Sequence, residues 1–432
     1  MHLSRASWPI LVNLLLLATT SPAAGPVIVL SVKDRANAYA SIATTGRFAA
    51  IAWGATTREG VTDVYLAWSR DGGRTFAAPA RVNTAEGQAN FSGEQPPRIG
   101  LVERAGREPA IVVMWTAKGR DGTRLLSARS ENGGTTFTAA SAVPGSDAAG
   151  NRGWESLAAM RDGSVVALWL DHRGLSMPGS GGSSMNHAEH QHVPTGENKT
   201  DGVRRAQLSQ LFFANLTNAD SSHSIARGVC YCCKTAMATD AAGAIYAAWR
   251  QVYEGNIRDI AFTKSTDRGR TFTAPVRVSE DNWVLDGCPE NGPAIAVEPA
   301  GRIHVVWPTL VPGPTPSSPP TLALFYATSE DGRRFTARQQ IPTEGVPRHP
   351  QIVVDARGLI RVAWDEQSAG SRNVALARGT IDRGGTARFY RVPIADDTAG
   401  SYPMLATADS ATIVGWSGTP GQTVIRAVRL PE

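Results

Sequence analysis

The chain has 432 residues, 42% of them hydrophobic and 19% charged, a globular composition that excludes disorder across its whole length. Its 43 Lys and Arg against 38 Asp and Glu leave a net charge of only +5, with no basic block or stripe. That balance argues against a nucleic-acid partner.

At the N-terminus Arg5 precedes an apolar run from Trp8 to Ala18, followed by the small residues of Thr19 to Gly25. A short positive region, an apolar centre and small residues describe a secretory signal peptide, expected over residues 1–23 with cleavage after Ala23. The run falls short of the roughly 20 apolar residues that a permanent anchor needs. The mature protein is therefore expected to be secreted or periplasmic, without a membrane anchor.

An apolar strand ending in Trp recurs along the rest of the chain, at Trp53, Trp115, Trp169, Trp249, Trp307, Trp364 and Trp416. Polar turns containing Gly precede several of these runs, for example Asp162-Gly163 and Ala300-Gly301, and alternating apolar strands precede the turns. Period-two alternation broken by turn signals reads as β-meander. A second repeat is the octapeptide from Ser69 to Phe76, matched from Ser130 to Phe137 and from Ser265 to Phe272, with a shortened copy from Ser329 to Phe335. In each copy the Asp or Asn is suited to accept backbone N–H groups within a tight turn, and the Gly to take positive φ. The Phe is expected to pack between sheets.

This S-x-D-x-G-x-T-F repeat resembles the Asp-box of the sialidase (neuraminidase) superfamily. Four short strands per unit, repeated radially, predict an all-β propeller. The Trp repeats favour seven blades, with six, usual in that superfamily, as the alternative. The last unit, from Tyr402 to Leu430, has room for three strands only, so the segment from Pro26 to Val32 is expected to supply the fourth and close the ring. Residues 26–432 then form one domain. The long interval between Trp169 and Trp249 marks a His/Gly/Ser-rich insertion at about residues 174–204.

In a meander the approach to the first strand and the link from the second to the third share one face, with the Asp-box turns on the other. The functional face therefore collects Glu94 and Arg98, Arg152, Trp154 and Glu155, the cysteine run, Arg348 and His349, and Tyr402 before the inner strands. After the Trp residues come Arg58, Asp171 to Arg173, Arg250, Tyr253 and Glu254, Arg258 and Asp259, and Asp365 and Glu366. A single charged loop residue is ordinarily only solvated; convergence on one rim is what makes these candidates.

Cys230, Cys232, Cys233 and Cys288 all precede neighbouring inner strands. In an exported protein an even count favours disulfides. Of the three pairings, a vicinal Cys232–Cys233 bridge leaves Cys230–Cys288 to tie adjacent blades. The alternative is a copper or zinc site built from these four cysteines with His187, His190 and His192 of the insertion. A redox-active cysteine is a third reading.

The sialidase resemblance implies an arginine clamp on a sugar carboxylate, a Tyr nucleophile activated by a Glu, and an Asp acid/base. Tyr402 is the expected nucleophile, Glu155 or Glu254 its partner, and Arg98, Arg258 and Arg348 the clamp, with Asp259 beside it. The chain departs from that pattern in that Pro97-Arg98-Ile99-Gly100 stands one blade late. The expected function is binding, and hydrolysis of exo-sialidase type, of a small-molecule or glycan ligand by a monomer. No cofactor is needed for that chemistry. The alternatives are a copper- or zinc-binding periplasmic protein and a non-catalytic structural or adhesive propeller.

Overall fold

Each repeated Trp lies in the second strand of a four-stranded antiparallel sheet, and the computed structural model contains seven such sheets. It describes residues 25–175, 199–285, 287, 289–313, 315, 317–382, 386–409, 411–419 and 421–431. The expected signal peptide, most of the insertion with its three histidines, and Cys288 lie outside the described residues.

The inner strands are, in order, Ala36–Thr45, Arg98–Arg104, Arg152–Ala159, Ala236–Thr239, Ala294–Val297, Val346–Val354 and Ser401–Ala408, one for each of blades 1 to 7. Each packs against the inner strand of the next blade, and the seventh packs against the first, which makes the ring of a seven-bladed β-propeller. Blade 7 takes its outermost strand, Ile28–Leu30, from the N-terminus. Ile28 pairs with Ala427 and Leu30 with Ile425. The seam thereby gains the strand that the sequence left over, and the edge of Ile425–Pro431 is covered.

All seven Trp rings are at most 1% exposed, and they are the largest fully buried side chains. Rings this large fill the wedge between radiating sheets, and removing one costs about 3–5 kcal/mol. Five of the seven indoles find an acceptor, among them Trp364 on Glu366 Oε2 at 2.9 Å and Trp169 on Asp171 Oδ2 at 3.1 Å.

The octapeptides form the tight turns between third and fourth strands. Asp71 Oδ1 accepts the backbone N–H of Arg74 and of Thr75, at 2.9 and 3.0 Å, and Asn132 and Asp267 make the corresponding bond to Thr136 and Thr271. Gly73 sits at φ 83°, where a Cβ would strike Ile413. Phe272 meets Phe213 of blade 3, and Phe335 meets Phe262 of blade 4, each at 5.3 Å, so the aromatic knob of the turn bridges neighbouring blades. These turns are structural and lie on the face opposite the inner-strand approaches.

Candidate functional site at the channel rim

The rim is shaped by one backbone device used four times. In blades 1, 3, 6 and 7 the register between first and second strands slips, so that two inner-strand residues oppose one partner. The unpaired partner is each time the repeated Trp. The first bulge residue is each time in left-handed backbone: Tyr39 at φ 58°, Trp154 at 54°, His349 at 51° and Tyr402 at 52°. None of these is glycine, so the conformation is strained and the surrounding sheet must impose it. A bulge re-aims a side chain out of the pleat, and here it delivers aromatic rings to one end of the channel.

Three of these rings meet. Tyr402 lies 5.8 Å from Tyr39, edge to face, and 4.2 Å from His349. His349 Nδ1 bonds the buried Asp365 Oδ1 at 2.6 Å, which leaves Nε2 for the cavity that His349 lines. Asp365 also accepts the Tyr402 backbone N–H at 3.3 Å, and Arg372 lies 3.5 Å from its other oxygen. Burial holds the Tyr402 phenol well above the usual tyrosine range, with the charges of Asp365, Tyr39 and Glu290 adding to it. It is therefore a proton donor at neutral pH. Burial lowers the pKa of Arg348, and Arg372 lowers it further, while Asp365, Tyr402 and Glu290 pull the other way.

The floor is tied across the channel. Glu94, before the inner strand of blade 2, accepts the backbone N–H of Lys234 in blade 4 at 2.8 Å and of Gly292 before blade 5 at 3.0 Å. Lys234 Nζ donates to Pro350 O of blade 6 at 2.7 Å, and burial brings its pKa down to about 8, against the opposing charge of Glu94. Arg98 and Glu155 face each other between blades 2 and 3. Burial lowers the arginine's pKa and raises the glutamate's, each against the other's charge. Arg98 Nε and Glu155 Oε1 both lack hydrogen-bond partners. Between floor and rim lies a cavity of about 500 Å³, its open mouth included, lined by Ser41, Gly93, Glu94, Arg98, Lys234, His349, Gln351 and Tyr402.

Of the residues singled out from sequence, the structure brings Tyr402 and Arg348 to this rim and Arg98 to the cavity. It also brings Glu94, His349 and Asp365 there, but not Arg258, Asp259, Glu254 or Glu155. Arg258 is buried, donating Nη1 to Cys230 Sγ at 3.1 Å and Nε to Leu285 O at 3.0 Å, so it is not part of a carboxylate clamp at the Tyr402 rim. Asp259 is fully buried and accepts the backbone N–H of Asn282 and Trp283, a loop anchor. Glu254 is exposed on a short turn after Tyr253, and Glu155 faces Arg98. The carboxylates acting on the Tyr402 hydroxyl are those of Asp365 and Glu290. Tyr39, Lys234, Arg372 and Glu290 were not found from sequence. A usable signal was the Pro that follows His349 and Tyr402, since a Pro inside a strand marks a bulge or an edge.

Cys230, Cys232 and Cys233 are buried in one cluster with Tyr231. Cys230 and Cys233 are free thiols, and Cys232 is disulfide-bonded. This replaces the expected pairing of Cys232 with Cys233 and of Cys230 with Cys288. Cys230 Sγ lies 3.7 Å from Cys233 Sγ and 3.8 Å from Cys232 Sγ. The hydrogen bond from Cys233, then the charges of Arg258 and Arg250, lower the Cys230 pKa against burial, whereas burial raises that of Cys233. The three sulfurs are close enough together to surround an ion. The donor set does not suit copper or zinc, because one sulfur is committed to a disulfide and a guanidinium already occupies another.

No family model matches the sequence. No curated protein matches it either. Solved structures do match the fold. The arabinofuranosidase Arb93A of Fusarium graminearum, in complex with an iminosugar inhibitor, superposes with a TM-score of 0.52 at 14% identity, over 95% of this chain and 98% of its own. A polysaccharide lyase, an ulvan lyase with a bound uronic-acid-containing saccharide, gives 0.54 at 10% identity, over 91% and 93%. The NanB sialidase of Streptococcus pneumoniae gives 0.47 at 11% identity, over 94% of this chain and 70% of its own. At these identities the likeness to the first two establishes the propeller fold alone.

Proposed function

We propose that the chain is an exported glycan-binding propeller whose rim cavity takes a sugar bearing a carboxylate and hydrolyses its terminal glycosidic bond. The carrying observation is the meeting of Tyr39, His349 and Tyr402 at one point, with His349 held by Asp365 and the guanidinium groups of Arg348 and Arg372 beside them. Aromatic edges and faces suit the apolar faces of a sugar ring. Arginine suits a carboxylate because its planar fork matches two oxygens. The protonated phenol of Tyr402 and the imidazole oriented by Asp365 offer an acid and a base across one small cavity. Structural neighbours with sugar-type ligands support a saccharide as the class of ligand.

The test uses mature full-length protein. Calorimetric titration with N-acetylneuraminic acid and with glucuronic acid, each beside its methyl ester, is expected to show binding that the ester loses. Release of fluorophore from a 4-methylumbelliferyl sialoside or glucuronide, lost in Tyr402→Phe, supports hydrolysis. Binding without turnover by any glycoside leaves a lectin-like propeller, and absence of binding to every acidic sugar removes the reading.

A further inference from the structure

We propose that Cys230 and Cys233 form a redox-active dithiol that closes reversibly to a disulfide by exchange with a small external disulfide. The two residues stand at C-x-x-C spacing on the approach to the inner strand of blade 4. Both thiols are free and both are 1% exposed, with sulfurs 3.7 Å apart. A disulfide bond is about 2.05 Å long, so closure asks for a side-chain adjustment of under about 2 Å and no blade movement.

The surroundings favour an anionic sulfur over a bound cation. Arg258 Nη1 donates to Cys230 Sγ at 3.1 Å, and the Arg250 guanidinium, fixed on Asn291 O and Pro308 O at 2.8 Å each, adds a second positive charge beside the pair. Two guanidinium groups stabilise a thiolate and repel a metal ion. They also give the two cysteines different parts. Cys230, paired with Arg258, attacks one sulfur of the external disulfide, the reagent's other sulfur leaves as thiolate, and a mixed disulfide forms on Cys230. Cys233 then loses its proton, its sulfur displaces the reagent from Cys230 Sγ, and a second reagent thiolate leaves. The protein dithiol is oxidised by two electrons and the external disulfide is reduced to two thiols. Both thiols are buried, so only small reagents are expected to reach them.

Mature full-length protein is equilibrated in buffers of dithiothreitol and its cyclic disulfide, quenched with acid, unfolded and alkylated with a maleimide mass tag. The expected result is two tags in reducing buffer and none in oxidising buffer, along a single two-electron curve, with the Cys232 bond intact at the potentials where the pair converts. Cys233→Ser treated with 2-hydroxyethyl disulfide is expected to retain the adduct on Cys230 by peptide mapping. If folded protein keeps two reactive thiols under conditions that oxidise the unfolded chain, the proposal fails. It fails equally if elemental analysis finds one copper or zinc per chain protecting both thiols. Neither outcome bears on saccharide binding at the rim.

Discussion

His349 and Tyr402 stand on neighbouring blades with their rings 4.2 Å apart, each in left-handed backbone at the same point of its bulge. Asp365 joins them, bonding the imidazole of one and the backbone N–H of the other. Replacing Asp365 by Asn removes the carboxylate charge beside the His349 ring and lets an amide NH2 compete with the oxygen that accepts from Nδ1. Under the proposed hydrolysis, Asp365→Asn is expected to lower kcat by about 10²-fold, the scale of general acid–base catalysis, with KM changed far less. Steady-state kinetics on the fluorogenic glycoside separates the two constants, and an equal rise in KM alone would contradict the assignment.

Gly93 lies directly under the Tyr402 phenol, where an added Cβ would stand 2.0 Å from both Cζ and Oη. Gly93→Ala therefore has to push the ring off its seat. Ligand affinity is expected to fall at least as far as in Tyr402→Phe, while the melting temperature moves by only a few degrees, because Gly93 belongs to a loop. Calorimetric titration beside thermal unfolding checks this; unchanged affinity in Gly93→Ala would place the ligand elsewhere.

Glu94 ties three blades by satisfying two buried backbone N–H groups. Glu94→Ala orphans both, at about 1–3 kcal/mol for each. Glu94→Gln keeps an acceptor and is expected to lose less than half as much. Chemical denaturation of both variants, compared at equal m-value, gives the two numbers.

His172 is buried against Trp154, its Nε2 has no hydrogen-bond partner, and burial brings its pKa down to about 4. The unfolded chain, with an ordinary value near 6.5, takes up the proton first as pH falls. The stability tied to a neutral His172 is thus complete above about pH 6.5 and drains away towards pH 4, by up to about 1.4 kcal/mol per pH unit. Denaturant midpoints between pH 7 and 4.5 are expected to fall less steeply in His172→Phe than in the native chain.

The ring was legible in the sequence because its signals are local and repeated. Trp53 and its six counterparts mark the second strands, the Asp71-type turns mark the third-to-fourth connections, and the unmatched run around Val29 had one place to go. The rim was legible only in part. Tyr402, Arg348, His349 and Asp365 could be assigned to one face by counting strands, but a strand count gives no distances across a channel. It therefore grouped Arg258 and Asp259 with them, although both turn inward to anchor the cysteine loop and the 282–283 loop. Tyr39 was passed over because the bulge that presents it leaves no Pro or Gly in the sequence, unlike those at His349 and Tyr402. Lys234 sits at the end of the cysteine run, and nothing in the run reveals that its ammonium reaches blade 6.

The pairing of Ile28 with Ala427 also sets an order of events. Ile28–Leu30 is made early and the strand it pairs with, Ile425–Pro431, is made last, so the N-terminal strand has no neighbour until synthesis is complete. Until then the molecule is an open arc with a sticky end at Ile425–Pro431 still to come, and only the arrival of the final residues turns a row of sheets into a locked circle.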